Sequence, residues 1–258
     1  MTDHLETLLS QKAEKYNTKK FIETDPVQFP RKLFDMGASL QDVEISAVIS
    51  SWLAYGSRSQ FIPKIKEIHE IMEWKPYEYI IQEKYNRFMM NDNVLYRFFK
   101  WSDFWLLCSH LNEYYTFELG SLSVGCGFNQ RYMRHKPFPF LSSLIDTFVG
   151  IKGFPKSTSS ACKRLNMFLR WMVRDDDIVD IGLWNLDKKL LIIPLDTHVH
   201  QKALKLGITT RTQTNMKTAV EITDFFKRIF PDDPAKGDFA LYGLGIDNEI
   251  KVLTNENH

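Results

Sequence analysis

The chain has 258 residues, enough to bury a substantial core as one large domain or as two fused lobes. With 44% hydrophobic, 14% aromatic and 25% charged residues, its composition excludes a disordered or fibrous protein. No apolar run approaches the roughly 20 residues that span a bilayer, and the charged N-terminus is unlike a signal or transit peptide. We therefore expect a cytoplasmic protein with no membrane partner, and a monomer.

The net charge is only +1, but the charges are unevenly distributed along the chain. Residues 119–174 carry nine basic residues against one acidic residue, Asp146, a net of +8. The basic residues are Arg131, Arg134, Lys136, Lys152, Lys156, Lys163, Arg164, Arg170 and Arg174. This asymmetry favours one face that binds a polyanion. A merely solvated basic surface is an alternative of about equal weight.

Apolar residues in the first half of the chain recur mostly at helical spacing. The helices predicted from this pattern cover residues 3–16, 43–55 and 60–73, and a further one opens at Pro76. Ser39 is the predicted N-cap of the second of these helices. Residues 25–34, with two prolines, are predicted to be a connector. The apolar and aromatic stretch 93–111 is predicted to form one or two buried helices.

The second half of the chain continues the helical pattern. A flexible stretch with Gly120, Gly125 and Gly127 marks a candidate boundary between helical layers. The helices predicted beyond it cover residues 137–149, 161–174, 198–206, 215–230 and 236–245. Ser159 or Ser160 is the predicted cap of the helix over 161–174. Because sustained period-2 alternation is absent, we predict an all-α fold.

The most informative feature is a lysine and an aspartate at two helix starts. An apolar run ends at Pro194, and Asp196 follows it directly before a predicted helix. Lys163 lies 33 residues upstream in another helix. An amine nucleophile that attacks the sugar C1′ carbon, assisted by a carboxylate, cleaves an N-glycosidic bond through a Schiff base. Taken alone, each residue has a simpler explanation: Asp196 as a helix N-cap and Lys163 as a surface lysine.

The other candidate residue groups give weaker functional predictions. His198 and His200 form an HxH pattern, but positions i and i+2 point apart on a helix, so we expect no metal there. The acidic run of residues 175–177 with Asp180 is more typical of a solvated loop than of a Mg²⁺ site. Three tryptophans are candidates for stacking on a base, although core packing is the simpler explanation for each: Trp52, Trp171 and Trp184. The three cysteines, widely spaced, form neither an iron–sulfur nor a paired CxxC zinc motif, and we expect no cofactor.

Several segments together resemble an uncharacterised bacterial family related to the helix-hairpin-helix–GPD superfamily of DNA glycosylases. These segments read DVEISAVISSWLAYGSR, KRLNMFLRWMVR, DIGLW, LLIIPLDTHV and DFALYGLGI. The LDTHV segment is similar to the catalytic-aspartate motif of endonuclease III, and the Lys163–Asp196 separation is similar to that of archaeal oxidised-guanine glycosylases. The resemblance implies a two-lobed helical fold, roughly residues 40–150 in one lobe and residues 1–39 with 151–258 in the other.

The resemblance also implies site residues and a partner, double-stranded DNA with a damaged base. Asp238 and Tyr242 match residues that hold a flipped base in the archaeal branch, and Trp52 is a further candidate for base binding. The glycine-rich hairpin turn of the superfamily is replaced by GFPKSTSSA, which predicts a modified helix-hairpin-helix. The predicted contacts to the DNA backbone are Lys156, Ser159, Arg164, Arg170 and Arg174. For Arg170 and Arg174, pairing with the aspartates of residues 175–180 is the alternative.

Three functions stay open at this point. The first is a DNA glycosylase, with or without lyase activity, in which Lys163 attacks C1′ and Asp196 assists. The second is a non-catalytic nucleic-acid-binding helical protein. The third is a structural or small-ligand-binding helical protein in which Lys163 and Asp196 form a buried ion pair.

Overall fold

A computed structural model describes residues 2–118, 121–122, 138–176 and 178–246. Within these residues the chain is mostly helical, in agreement with the predicted all-α class. Its strands form one two-stranded hairpin. Inter-residue contacts divide the chain into two compact units. The terminal unit comprises Met1–Phe21 with Ser157–His258, and the central unit comprises Ile22–Lys156. In the described ranges, every helix is too short or too polar to cross a bilayer.

The helices and strands follow one another in chain order. The elements up to the hairpin are α1 (Thr2–Tyr16), α2 (Lys19–Ile22), α3 (Gln28–Asp35), α4 (Leu40–Leu53), α5 (Arg58–Ile71), α6 (Pro76–Ile81), β1 (Val94–Tyr96) and β2 (Phe99–Lys100). The elements after it are α7 (Trp101–Glu113), α8 (Pro139–Thr147), α9 (Lys163–Val173), α10 (Thr197–Lys205), α11 (Met216–Ile229) and α12 (Gly237–Ile246). Most of the predicted helices are therefore confirmed to within a few residues.

Helix α4 is the buried centre of the central unit. Its predicted cap is confirmed, since the Ser39 hydroxyl accepts a hydrogen bond from the Asp42 amide at 3.1 Å. All residues from Val43 to Leu53 are buried, and the helix packs against α3, α5 and α6. A helix that is covered on all sides needs few polar positions, which explains why this sequence is apolar over most of its length.

Two predictions for the central unit are wrong. The connector predicted over residues 25–34 contains α3, because Phe29 and Leu33 bury one side of a short helix. The stretch predicted as one or two helices, 93–111, begins instead with the antiparallel hairpin β1–β2, in which Tyr96 pairs with Phe99. Only from Trp101 onward is this stretch helical, as α7. The predicted glycine boundary at residues 120–127 lies outside the described residues, apart from residues 121 and 122.

The terminal unit is built around α9. Every residue of α9 from Leu165 to Val173 is buried, and Phe168 meets Trp184 edge to face with ring centroids 5.2 Å apart. Helix α1 packs along α12, and α12 also contacts α10. The apolar run of residues 191–195 is buried and extended, with the Ile193 amide bonded to the Thr223 hydroxyl at 3.1 Å. This buried run fixes the position of the residue that follows it, Asp196.

Candidate active site

Lys163 is the first residue of α9. The predicted serine cap of this helix is wrong, because Cys162 occupies the cap position in a left-handed conformation (φ 47°) and makes no side-chain cap bond. The turn before it is held by an isolated bridge between Ser160 and Asn215 and by the Asn166 side chain, whose Nδ2 donates to the Ala161 carbonyl at 3.0 Å. The backbone before Lys163 is thus fixed by contacts on both sides.

Asp196 is the N-cap of α10. Its Oδ1 accepts a hydrogen bond from the Val199 amide at 2.8 Å, which satisfies one of the free amides of the first helical turn. The simpler explanation of this residue, that it caps a helix, is therefore correct. Because only one carboxylate oxygen serves the cap, the second is available for another contact.

That second oxygen pairs with Lys163. The distance from Lys163 Nζ to Asp196 Oδ2 is 3.2 Å, and the two side chains are 37% and 30% exposed. The structure thus brings together the two residues that sequence reasoning placed at the centre of the site. The ion pair itself is the one that the third hypothesis expects, but it is partly exposed to solvent and not buried.

The surroundings keep the Asp196 carboxylate ionised. Partial burial by itself would raise the pKa of Asp196, but the Lys163 ammonium, the Val199 amide and the charge of His198 together hold that pKa below its usual range. A carboxylate in this state is a weak base at neutral pH and a lasting negative charge. The arrangement is therefore suited to stabilising a positive charge that develops nearby.

The two histidines of the HxH pattern have separate environments. His200 is buried, with Nδ1 2.7 Å from the Thr214 hydroxyl and Nε2 2.7 Å from the Arg211 carbonyl. His198 is exposed in the first turn of α10, where a positive charge on its ring lowers the pKa of Asp196. Within the described parts of the chain no group of three or more His, Cys, Asp or Glu side chains is arranged to hold a metal ion. Sequence reasoning considered His198 only as a metal ligand and missed its proximity to Asp196.

Three of the predicted DNA-backbone residues are accessible. Lys156 and Ser159 are exposed, and Arg164 is half-buried in the first turn of α9. The Ser159 amide donates to the Ser157 hydroxyl at 3.3 Å, which forms a tight polar turn ahead of the helix. The phosphate contact predicted for these three residues stays a prediction.

The other two predicted backbone residues, Arg170 and Arg174, are buried in an ion-pair cluster. Arg170 pairs with Asp180, at 3.2 Å, and with Asp238. Arg174 pairs with Asp176 at 2.9 Å, with Asp233 at 2.8 Å, and also with Asp180. Both arginine side chains are only 2% exposed. The prediction that they contact DNA phosphates is corrected, because acidic side chains of the same unit already surround them.

The predicted base-binding residues on α12 have partners within the terminal unit. Asp238 is the partner of Arg170 described above. The Tyr242 ring packs edge to face against Phe21, with centroids 4.8 Å apart, and against Tyr16 at 6.0 Å. Both side chains are half-buried. Their role in holding a flipped base stays a prediction.

Trp52 does not present a free face to a base. It is fully buried in the central unit, where its indole N–H donates to the Lys152 carbonyl at 2.7 Å and its ring lies 4.4 Å from Phe99. The prediction of a base contact is corrected to core packing. Trp171 and Trp184 are buried as well, so core packing is also their role.

The fold and the site together define a class: a protein that is mostly helical over its described residues, in which a partly exposed lysine–aspartate pair lies at the starts of two helices. The chain belongs to the family described as "Protein of unknown function (DUF2400)", which it matches over residues 25–247. No curated protein and no solved structure matches the chain. The family assignment covers Lys163 and Asp196, and its description states no activity.

Proposed function

We propose that this protein is a DNA base-excision glycosylase in which Lys163 is the nucleophile and Asp196 the assisting carboxylate. The observation that carries the proposal is the 3.2 Å contact between Lys163 Nζ and Asp196 Oδ2 in an accessible position. Structural lysine–aspartate pairs are common on protein surfaces and contribute little to stability. Here the two residues begin separate helices, on a fixed backbone, with one oxygen of the aspartate left over from its cap.

The chemistry assigns a separate task to each group. The Lys163 ammonium first gives a proton to solvent, and the free amine then attacks C1′ of the damaged nucleotide. The bond between C1′ and the base breaks, its electron pair leaves with the base, and the departing base takes up a proton. The lysine nitrogen then loses a proton, and its lone pair forms the C=N bond of a Schiff base as the C1′–O4′ bond breaks and O4′ takes up a proton. Water hydrolyses this Schiff base, or it leads to strand cleavage. Asp196 stabilises the cationic sugar while the glycosidic bond breaks.

Binding of the partner needs contacts beyond this pair. Lys156, Ser159 and Arg164 are the accessible residues near the start of α9 in sequence, and we assign them to the DNA backbone. The target base must leave the helical stack to expose C1′, at a cost of a few kcal/mol that is smallest for a damaged or mismatched base. The substrate is therefore duplex DNA with one damaged base.

The proposal is tested by base release from a panel of duplexes, each with a single oxidised, deaminated or alkylated base. We expect one class of lesion to be released by the wild-type protein and not by Lys163→Gln. The matched control is Lys189→Gln, since Lys189 is another exposed lysine of the terminal unit that pairs with an aspartate, Asp232, at 2.8 Å. Equal release by wild type and Lys163→Gln would refute the assigned nucleophile, and no release from any duplex would refute the proposed activity.

A further inference from the structure

The central unit carries an exposed pair of aromatic side chains. Tyr55, two residues after the end of α4, and Phe98, at the tip of the β1–β2 hairpin, are 45% and 44% exposed. Their rings contact each other nearly perpendicularly, with centroids 5.1 Å apart and an interplanar angle of 76°. Two adjacent aromatic rings that are both exposed to solvent form an apolar surface patch, and such patches often mark binding sites.

The backbone beneath Phe98 is strained. Because Tyr96 pairs with Phe99, Arg97 and Phe98 form a two-residue turn. Arg97 adopts a left-handed conformation, φ 52°, at the turn position where glycine is usual. Non-glycine residues in this region persist where the surrounding structure fixes them, and they concentrate at binding surfaces. Arg97 thus occupies a turn position at which local backbone conformation alone would favour glycine.

Hydrogen bonds hold the aromatic pair in place. The Tyr96 hydroxyl donates to the Tyr55 carbonyl at 2.6 Å, and Lys152 Nζ donates to the Phe98 carbonyl at 2.6 Å. Arg97 Nη2 donates to Gln60 Oε1 at 2.7 Å. Both rings are therefore positioned before any partner arrives, which lowers the entropy lost on binding.

One uncompensated positive charge, that of Arg97, lies beside the aromatic pair. The Arg97 guanidinium lies 5.6 Å from the Tyr55 ring centroid, and among the described residues no carboxylate pairs with it. The two other basic residues nearby in sequence are paired, Arg58 with Asp25 at 3.3 Å and Lys100 with Asp92 at 3.1 Å. In the part of the chain that the structure describes, the uncompensated charge beside the aromatic pair is therefore that of Arg97. An unpaired cation beside an aromatic face fits a partner that combines a planar ring with a negative charge, as a nucleotide does.

We infer that Tyr55, Phe98 and Arg97 form a stacking surface for an unpaired nucleobase of DNA, with Arg97 on the adjoining phosphate. This inference rests on the proposed function only for the choice of DNA as the polymer. The surface lies in the central unit and includes neither Lys163 nor Asp196. It would be a second site, besides the Lys163–Asp196 pair, at which the protein binds a nucleobase that is not base-paired.

The experiment measures binding of the full chain to two synthetic duplexes, one fully paired and one with a single bulged 2-aminopurine. We expect tighter binding of the bulged duplex and quenching of the 2-aminopurine fluorescence by stacking. Phe98→Ala and Tyr55→Ala each weaken that binding by roughly 5- to 100-fold, the range for loss of one base–aromatic stack. Phe98→Trp retains the binding, whereas Phe98→Leu, which keeps the apolar bulk without the ring, loses it.

The matched control is Val149→Ala, because Val149 is an exposed apolar residue of the same unit, 69% exposed. It leaves binding and quenching unchanged. Unchanged binding in both Phe98→Ala and Phe98→Leu overturns the inference, as does a bulged duplex that binds no better than the paired one. If these variants instead abolish self-association in sedimentation, the surface binds protein and the inference is wrong. Lys163→Gln leaves quenching intact, so failure of the glycosylase proposal is distinguishable from failure of this one.

Discussion

Asp196 shows how one side chain serves structure and chemistry together. Its Oδ1 caps α10 and its Oδ2 faces the Lys163 amine. Asparagine is as good an N-cap as aspartate but carries no charge, whereas alanine loses both properties. Substitutions at this position therefore separate the two roles.

We expect Asp196→Asn to keep the unfolding free energy within about 0.5 kcal/mol of wild type and Asp196→Ala to lose about 1 kcal/mol. Asp196→Asn slows base release by about 100-fold or more, because the charge that stabilises the cationic sugar is gone. Reaction with a pre-formed abasic site survives, since that step needs only the amine. Urea unfolding and single-turnover release measure the two effects, and a protein that melts on Asp196→Asn would show that the carboxylate is purely structural.

His69 links the stability of the central unit to pH. It is fully buried, with its Nε2 2.7 Å from the Ser46 hydroxyl and its Nδ1 2.8 Å from the Ile65 carbonyl. Burial lowers its pKa from 6.5 to about 4, although the Ile65 carbonyl favours the protonated ring. The folded protein thus holds a neutral ring over a pH range in which the unfolded chain takes up a proton.

Because the unfolded state binds the extra proton, the free energy of unfolding falls as the pH falls from 6.5 to 4. The contribution of His69 to this loss is about 3 kcal/mol, from 1.36 kcal/mol per pKa unit. Urea unfolding of wild type and His69→Gln at several pH values isolates it, with His4→Gln, an exposed histidine, as the control. If the unfolding free energies of wild type and His69→Gln changed with pH in parallel, the neutral state assigned to His69 would be contradicted.

At the level of elements, α9 joins the site to the core. Lys163 begins the helix in an accessible position, while Arg170 and Arg174, one turn apart, are buried against aspartates. Removing one partner of a buried ion cluster leaves the others unpaired and costs about 3–5 kcal/mol. The helix is therefore anchored by charge at its C-terminal end.

We predict that Arg174→Met lowers the unfolding free energy by about 3 kcal/mol or more and leaves the DNA affinity of the folded protein unchanged. Lys188→Met is the control, because Lys188 forms an exposed pair with Asp175, at 2.7 Å, worth less than about 1 kcal/mol. Chemical denaturation gives the first comparison and a binding isotherm the second. If Arg174→Met were as stable as wild type but bound DNA more weakly, Arg174 would contact DNA and this prediction would be wrong.

The elements differ in how far the sequence predicts them. The caps Ser39 and Asp196 and the helices that follow them are predictable, because capping residues act locally. The hairpin at 94–100 is not, because its turn residues, Arg97 and Phe98, are not turn formers and its strands are short and aromatic. The non-serine start of α9 is missed as well, because Cys162, which hydrogen-bonds to Ser157 and Ser160, adopts a left-handed conformation that is not typical of cysteine.

For the whole molecule, the charge count of residues 119–174 overstates the basic surface. Arg170 and Arg174 pair with Asp176 and Asp180, just past the end of this segment, and with Asp233 and Asp238, about sixty residues further along the chain. A charge count that stops at residue 174 therefore misses the neutralisation. Lys152 is likewise paired with Asp103, at 2.8 Å. Arg131, Arg134 and Lys136 lie outside the described residues. The Lys163–Asp196 pair was predictable only through the motif resemblance, since neither residue stands out by itself.

A salt titration of DNA binding counts the phosphate contacts made by the basic residues that are not paired with aspartates. Each phosphate contact contributes about −0.9 to the slope of log affinity against log salt concentration. We expect Lys156→Ala to reduce the magnitude of the slope by about 1 and Lys189→Ala, as control, to leave it unchanged. An identical slope in wild type and Lys156→Ala would remove Lys156 from the interface.

The central claim is that the Lys163 amine forms a covalent bond with the sugar of DNA. Borohydride reduction of the protein on an abasic-site duplex, followed by mass mapping of the trapped peptide, tests it directly. We predict a cross-link at Lys163, abolished in Lys163→Gln and retained in Lys189→Gln. A cross-link at another lysine, or an undiminished yield in Lys163→Gln, would contradict the claim.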